Sequence, residues 1–191
     1  YDGVTPVEET MQALIDIVKQ GKALYVGISK YPPAQAKIAY EMLRAAGVPC
    51  LISQYRYSMF DRTVEEKSLP LAAEQGSGFI AFSPLAQGLL TKKYLHGIPE
   101  HSRAARSTGF LKVDQVTEDK VGKARRLDEI AARRGQTLAE MALAWVLKDE
   151  RMTSVIVGTS SVKQLADNLH ALDNLNFTNE ELAEIEGILR L

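Results

Sequence analysis

Several features that would assign this chain to a specialised class of protein are missing. Its 191 residues include one cysteine, Cys50, so an intramolecular disulfide framework is excluded and a reducing compartment, the cytoplasm, is expected. Lys and Arg number 23 against 24 Asp and Glu, which gives no electrostatic reason to expect nucleic-acid binding. No apolar run approaches the roughly 20 residues that cross a bilayer, and the N-terminus has no signal-peptide pattern, so we expect no membrane partner.

Common metal-binding and nucleotide-binding motifs are also missing. The three histidines and the cysteine show no metal-ligand spacing. No G-x-G-x-x-G motif and no P-loop follows any predicted strand, which argues against a Rossmann domain and against a nucleoside-triphosphate-binding domain.

What the sequence does contain is an alternation of short apolar segments, typical of buried strands, with amphipathic segments typical of helices. The predicted strands cover residues 23–28, 51–55, 78–82 and 153–158. The predicted helices begin after a Thr5 cap, at Pro32-Pro33, near residues 64 and 118, at a Thr137/Glu140 capping box, after residue 161 and near residue 179. Sequential strand-helix units form parallel sheets, and doubly wound and barrel folds both satisfy that rule.

One apolar run ends abruptly where Ser83 is followed by Pro84. Proline cannot continue a strand ladder and restrains the residue before it, so we expect the strand to end there with Ser83 extended. Ligands of parallel α/β folds bind where the carboxyl ends of strands meet the loops, which makes Phe82 and Ser83 candidates for a binding site. The alternative, that Phe82 belongs to the core and Ser83-Pro84 only ends the strand, is equally open.

A second candidate site lies where the sequence runs Gly158-Thr159-Ser160-Ser161, between the last predicted strand and a helix. Glycine and hydroxyl residues at such a turn leave N–H groups and a helix dipole facing a ligand, which suits phosphate. The same residues suit ordinary helix capping, so both interpretations stay open. Residues 91–117 form a long polar connection typical of a lid or binding loop, in which Arg103 and Arg106 are candidate anion contacts or solvated side chains.

Four segments, taken in chain order, resemble the aldo-keto reductases. They are Gly27-Ile28-Ser29, Gln54 after an apolar strand, the run from Phe82 to Tyr94, and Val157-Gly158-Thr159-Ser160 followed by Gln164 and Asn168. The long Ser-Pro-Leu-Ala-Gln-Gly-Leu-Leu run is specific, whereas the other signals are weak by themselves. The resemblance covers nearly the whole chain and is strongest to the branch that holds bacterial glyceraldehyde-phosphate reductases and the β subunits of voltage-gated potassium channels.

The resemblance implies a (β/α)8 TIM barrel that binds NADPH across the carboxyl ends of its strands. Ser29 and Gln54 would orient the nicotinamide carboxamide, and Phe82 would stack on the nicotinamide ring. The residues implied to line the pyrophosphate or pair with phosphates are Ser83, Leu85, Gly88, Lys93 and Arg103. The residues implied to hold the adenosine end and its 2′-phosphate are Gly158, Ser160, Gln164, Asp167 and Asn168.

The catalytic residues of the family are expected to be absent. In the family a tyrosine protonates the substrate's carbonyl oxygen, assisted by a lysine, a histidine and an aspartate at the ends of the first four barrel strands. By the resemblance this chain begins just after the fourth strand, so residues 1–191 would form the C-terminal half of the barrel, about four βα units plus a C-terminal helix. Tyr25, Tyr55 and Tyr57 are not replacements, because no partnering lysine and histidine accompany them.

Two functions remain open, beside a third interpretation in which the chain is a truncated relic without function. The preferred one is the cofactor-binding portion of an NADPH-dependent aldehyde reductase, inactive alone, whose full-length form would reduce a small aldehyde such as a phosphorylated triose. The alternative is a non-catalytic NADP(H)-binding or subunit-interaction module resembling the channel β subunits. A half-barrel leaves two sheet edges and one face uncovered, so we expect self-association or association with a complementary half.

Overall fold

The computed structural model describes residues 1–100, 102, 104–105 and 110–190. The chain divides into two compact units. The first contains Tyr1–Tyr57, Arg62–Phe82 and Glu150–Ser154, and the second contains Ser58–Asp61, Ser83–Asp149 and Val155–Leu191.

The order of helices and strands follows the predicted alternation. The strands are β1 (Val26–Ser29), β2 (Cys50–Arg56), β3 (Gly78–Phe82) and β4 (Met152–Ile156). The helices are α1 (Val7–Lys19), α2 (Pro33–Ala45), α3 (Ser68–Glu74), α4 (Glu118–Arg133), α5 (Leu138–Leu147), α6 (Val162–Leu169) and α7 (Asn179–Arg190). Short 3-10 turns cover Ala86–Gly88, Lys92–Tyr94, Val113–Gln115 and His170–Asp173. Among the described residues, no helix combines the length and the hydrophobicity of a membrane-crossing segment.

The strands form a parallel sheet in the order β1-β2-β3-β4, which confirms an α/β fold built from sequential strand-helix units. Two register pairs matter for the site. Ser29 at the end of β1 is paired with Gln54 of β2, and Arg56 of β2 is paired with Phe82 at the end of β3. The carboxyl ends of these three strands therefore lie side by side.

One face of the sheet in the first unit is buried beneath helices. Ile28 of β1 belongs to a core cluster with residues of α1 and α2, among them Met11 and Leu43, which have no exposed surface. Burial of such a side chain contributes roughly 1.5–3 kcal/mol. Tyr55 of β2 stacks on Phe79 of β3, with ring centroids 5.1 Å apart and planes 7° from parallel. Apolar packing therefore fixes this face.

The opposite face of the same sheet is exposed or half-buried. Its residues, which alternate with the buried ones along each strand, are Gly27, Ser29, Ile52, Gln54, Gly78, Ile80 and Phe82. At Gly27 a Cβ atom would lie 2.5 Å from the Ile52 carbonyl oxygen, so only glycine permits the observed approach of β1 to β2. This open face therefore combines two glycines and two polar side chains with the larger apolar Ile52, Ile80 and Phe82.

In the second unit, helix caps and one buried arginine fix the loops. The Thr137/Glu140 capping box is confirmed: the Thr137 N–H donates to Glu140 Oε2 at 2.8 Å, and the Glu140 N–H donates to Thr137 Oγ1 at 3.2 Å. Arg134, whose side chain is 2% exposed, donates to Glu181 Oε2 at 2.5 Å and lies 3.7 Å from the Phe177 ring centroid. These contacts join the α4–α5 loop to the segment around α7.

Some predicted boundaries in the first unit differ from the structure: α3, for example, begins at Ser68 rather than near residue 64. Thr5 does not cap α1: its hydroxyl donates to Asp2 Oδ2 at 2.6 Å, and Pro6 occupies the cap position. Hydrogen bonds from Thr5 and Val4 lower the pKa of Asp2 to about 2. Strand β1 begins at Val26 rather than near residue 23, which leaves Tyr25 68% exposed.

Candidate functional site

At the ends of β1 and β2 the structure brings two of the predicted residues together. Ser29 Oγ donates to the main-chain oxygen of Gln54 at 3.1 Å, and the N–H of Lys30 donates to the same oxygen at 3.0 Å. The Gln54 side-chain amide is half-buried and has no hydrogen-bond partner among the described residues. A free amide and a hydroxyl with unused acceptor capacity are groups that can bind a carboxamide.

Phe82, the last residue of β3, is half-buried on the same open face of the sheet as Gln54. It is not a core residue of the kind represented by Phe79, which has no exposed surface. An aromatic ring that keeps a partly exposed face at a strand end is available to stack on a flat ligand. Of the two interpretations of Phe82, burial in the core is therefore the weaker.

Beyond Phe82 the chain enters a tight turn with unusual backbone geometry. The N–H of Ala86 donates to the Ser83 oxygen at 2.9 Å. Ser83 has a φ of 54°, Ala86 a φ of 46° and Gln87 a φ of 59°. Left-handed conformations cost non-glycine residues roughly 1–2 kcal/mol each, so the surrounding structure must impose them. The expectation that Ser83 would be extended is wrong, because closing this turn outweighs the preference of a residue that precedes proline.

Gly88 ends the strained turn and needs to be glycine. Its φ is 104°, and a Cβ atom would lie 3.3 Å from Cε2 of the buried Tyr94 ring. Leu85 is half-buried, and Lys93 is exposed with no ion-pair partner among the described residues. The turn thus presents main chain and a free ammonium group, the groups that the prediction requires for phosphate. Arg103 and Arg106 lie outside the described residues.

The turn after β4 is built from side chains instead. Ser161 is the N-cap of α6 and accepts from the Gln164 N–H at 3.1 Å. The Ser160 N–H donates to Gln164 Oε1 at 2.9 Å, and its hydroxyl donates to the same atom at 3.2 Å. Gly158, Ser160 and Ser161 are all exposed. The capping interpretation is therefore correct for Ser161, while Ser160 and Gln164 lie together as the binding interpretation needs.

Farther along α6, Asp167 and Asn168 have contrasting environments. Asp167 binds the Lys163 ammonium group through both carboxylate oxygens, at 2.9 and 2.8 Å. Asn168 is 7% exposed, and its Nδ2 has no hydrogen-bond partner among the described residues. A buried donor without a partner costs roughly 1–3 kcal/mol, a cost that a hydrogen bond to a ligand would offset. This ion pair was not predicted, although a lysine and an aspartate four residues apart on a helix are visible in the sequence.

Tyr55 and Tyr57, which are not expected to be catalytic, use their hydroxyls in hydrogen bonds within the fold. The Tyr55 hydroxyl donates to the Tyr31 oxygen at 2.7 Å, and burial raises the Tyr55 pKa above its ordinary value. The Tyr57 hydroxyl donates to Glu65 Oε1 at 2.7 Å. A raised pKa makes a tyrosine a poorer proton donor, so Tyr55 is unsuited to general-acid catalysis.

Cys50 is likewise unsuited to covalent chemistry. It is buried, and burial raises the pKa of its thiol, which suppresses the reactive thiolate.

A polar cavity of about 540 Å³ in the second unit is lined by Arg134, Gly135, Gln136, Thr137, Glu140, His170, Asp173 and Asn174. None of the predicted site residues lines this cavity.

Comparison with known proteins identifies the family. The model of the aldo/keto reductase family matches residues 1–190. The chain is 48% identical over 189 residues to L-glyceraldehyde 3-phosphate reductase of Escherichia coli O157:H7, which covers 97% of this chain and 55% of that protein. The reductase of the same name from Escherichia coli strain K12 is 47% identical over 189 residues, with the same coverage. The chain spans about half the length of these curated relatives. With a family model matched along nearly all of its length, the chain belongs to the aldo/keto reductase family.

Proposed function

We propose that this chain is the cofactor-binding, C-terminal part of an NADPH-dependent carbonyl reductase with a (β/α)8 barrel. Family membership and 48% identity to a bacterial L-glyceraldehyde 3-phosphate reductase support an oxidoreductase. The parallel sheet with sequential connections suits one half of such a barrel. A phosphorylated triose is accordingly the first substrate to test.

The observation that carries the proposal is that strained backbone occurs just after the ends of β1 and β3. Four non-glycine residues of the described chain have a positive φ: Lys30, Ser83, Ala86 and Gln87. Lys30 directly follows β1, and the other three lie within five residues of the end of β3. Strained residues concentrate at ligand sites, where binding geometry compensates for their cost. Strain at the carboxyl ends of parallel strands therefore favours a ligand site at that edge.

The side chains present fit NADPH in chemical type. Ser29 and Gln54 offer hydrogen bonds suited to the nicotinamide carboxamide, and Phe82 offers a ring to stack on the nicotinamide. The half-buried main chain around Gly88 would line the pyrophosphate, with the Lys93 ammonium group as counter-charge. NADPH, when bound, supplies the hydride for carbonyl reduction.

The adenosine end supplies the clearest test of fit. Ser160 and Gln164 form one hydrogen-bonded pair, and the buried Asn168 amide lies one helical turn beyond Gln164 on the same side of α6. An unpartnered donor there matches a ligand that carries ring nitrogens or ribose oxygens. Gly158 and Asp167 complete this proposed set.

No residue of this chain is assigned to catalysis, so the proposed proton donor lies outside residues 1–191. The proposed source of the proton donor is a complementary segment with parallel βα units, corresponding to the part of the relatives that this chain does not match. The comparison supports that choice over a second copy, because the chain covers 55% of each curated relative and leaves the rest of that length unmatched.

The test is reconstitution of activity. The purified chain is titrated with NADP+ by calorimetry, assayed with L-glyceraldehyde 3-phosphate and NADPH, and then mixed with the part of the Escherichia coli reductase that it does not match. We expect weak NADP+ binding and no turnover alone, and a 1:1 complex with turnover after mixing. Turnover by the chain alone, or a stable dimer of the chain that excludes the added segment, would contradict the proposal.

A second candidate function is a non-catalytic NADP(H)-binding module. The structural use of the Tyr55 and Tyr57 hydroxyls favours it. The same experiment separates the two candidates, since a binding module would bind NADP+ and form the complex yet show no turnover after mixing.

A further inference from the structure

We propose that Arg56 binds the phosphate end of the substrate and so makes this protein prefer phosphorylated aldehydes to uncharged ones. The inference deepens the proposed function and rests on it, because it assigns a specificity-determining residue beside the proposed nicotinamide site. Arg56 is not among the site residues that the sequence predicts.

Strand register places Arg56 at the carboxyl edge of the sheet in the first unit. Arg56 is the last residue of β2 and is paired with Phe82, the last residue of β3. Along β2 the buried Tyr55 separates the half-buried Gln54 from the exposed Arg56. Because successive side chains of a strand point to opposite faces, Arg56 extends the open face that carries Gln54 and Phe82.

Arg56 brings the one charge to this face. Over the described strands β1, β2 and β3, the other residues of the open face are two glycines, the polar Ser29 and Gln54, and apolar side chains. None of these carries a carboxylate, so nothing on the face itself repels an anion. A cation at the edge of an otherwise uncharged surface favours a ligand with a negative charge at that end.

The spacing suits a short substrate. Each residue of a parallel strand advances about 3.3 Å, so the Cα atom of Arg56 lies about 6.6 Å along β2 from that of Gln54. Phe82 lies on the neighbouring strand, about 4.8 Å across the sheet. In the proposed function Gln54 orients the nicotinamide carboxamide and Phe82 stacks on the nicotinamide ring. The Arg56 side chain therefore lies where the far end of a three-carbon aldehyde would be when its carbonyl group meets that ring.

A guanidinium group matches a phosphate ester in charge and shape. It stays protonated and carries five N–H donors in a fixed plane, two of which can donate in parallel to one anion. A contact between Arg56 and another part of the chain still leaves donors for a ligand. The nicotinamide carries no anionic group, and the proposed function assigns the cofactor's phosphates to other residues. The anion that suits Arg56 is therefore the substrate's.

The experiment compares substrates that differ only in the phosphate. The complex of this chain with the unmatched part of the Escherichia coli reductase is assayed with NADPH and either L-glyceraldehyde 3-phosphate or L-glyceraldehyde. Arg56→Gln removes the charge and keeps a hydrogen-bond donor. We expect kcat/KM for the phosphorylated aldehyde to fall by about tenfold or more, with kcat/KM for L-glyceraldehyde changed less than about twofold.

A binding measurement tests the same residue without turnover. Glycerol 3-phosphate, the alcohol formed when the phosphorylated triose is reduced, and glycerol are titrated into the NADP+-saturated complex and followed by ligand-observed NMR. The unaltered protein should bind glycerol 3-phosphate more tightly than glycerol. Arg56→Gln should remove that preference and leave the affinity for NADP+ unchanged.

Two further variants sharpen the test. Arg56→Lys keeps the charge without the planar fork and should retain part of the preference for phosphate. Arg126→Gln makes the same substitution at an exposed arginine of α4 and should change nothing.

Three results would overturn the inference and leave the cofactor site intact. They are equal losses for both aldehydes in Arg56→Gln, the same loss in Arg126→Gln, and a loss of NADP+ affinity in Arg56→Gln. If the complex binds NADP+ but reduces neither aldehyde, the titration alone decides, and equal binding of glycerol 3-phosphate and glycerol would sink the inference. If the unaltered chain binds no NADP+, both the inference and the proposed function are wrong.

Discussion

Two turns of the second unit do the same proposed task by different physical means. The turn after β3, Ser83 to Gly88, is half-buried and shaped by left-handed backbone at Ser83, Ala86 and Gln87. The turn after β4, residues 157–161, is mostly exposed, and the hydroxyls of Ser160 and Ser161 organise it. The first turn has strained main chain, whereas no residue of the second turn has a positive φ.

The difference indicates what each turn can tolerate. A strained turn depends on the packing that holds it, since the cost of its backbone must be met by neighbouring contacts such as the buried Tyr94 and Leu89 cluster. A turn made by capping depends on single side chains that the sequence can exchange at modest cost. The substitutions that distinguish the two turns are accordingly different in kind: backbone changes affect the first turn, and removal of single side chains affects the second.

The largest effect is expected at Gly88. Gly88→Ala places a side chain at a φ of 104° and 3.3 Å from the Tyr94 ring, so the free energy of unfolding should fall by about 2 kcal/mol. Urea denaturation measures the change, and NADP+ affinity should fall with it. Gly122→Ala is the matched control: it lies within α4 with no atom near the added Cβ and should stabilise by about 0.5–1 kcal/mol. Equal stability of Gly88→Ala and the unaltered chain would show that the turn is not strained.

A smaller effect is expected at the cap of α6. Ser161→Ala removes the acceptor of the Gln164 N–H, so the free energy of unfolding should fall by about 1 kcal/mol. Ser160→Ala leaves that cap in place and should lower NADP+ affinity while changing stability by only a few tenths of a kcal/mol. Denaturation of both variants measures their stability, and calorimetry measures their affinity for NADP+. If Ser160→Ala proved the more destabilising of the two, the assignment of capping to Ser161 and of ligand binding to Ser160 would be wrong.

The two turns differ in how much of their structure the sequence predicts. The apolar run that stops before Ser83-Pro84 predicted β3, and the hydroxyl residues before α6 suited a cap as well as a phosphate site, because both signals are local. The left-handed Ser83 was predicted incorrectly, since local preference before proline opposes a conformation that tertiary packing imposes. The unpartnered Asn168 amide could not be predicted at all, because burial depends on residues distant in sequence.

Relief of strain should be measurable at Gln87. Gln87→Gly replaces a residue whose φ is 59° by one that adopts this conformation freely, so we expect a gain in stability of up to about 1 kcal/mol. Gln20→Gly is the matched control, because Gln20 ends α1 with a φ of −79° and the same substitution should destabilise. Thermal or urea denaturation reports both. A loss of stability in Gln87→Gly as large as that in Gln20→Gly would remove the distinction between the strained and the capped turn.

The smallest effect on stability, and the most specific effect on binding, is expected at Asn168. Asn168→Leu replaces a buried amide whose Nδ2 has no partner by an apolar group of similar size, so stability should stay within about 1 kcal/mol of the unaltered chain or rise. Loss of NADP+ affinity by about tenfold should accompany it, since a buried donor to the ligand is worth roughly this much. Ser53→Ala is the contrasting control: its fully buried hydroxyl contacts Tyr40 at 2.6 Å and Ser77 at 3.0 Å, so its loss should destabilise by roughly 1–3 kcal/mol. Unchanged NADP+ affinity in Asn168→Leu would mean that the amide serves no ligand, and the turn after β4 would then be a helix cap alone.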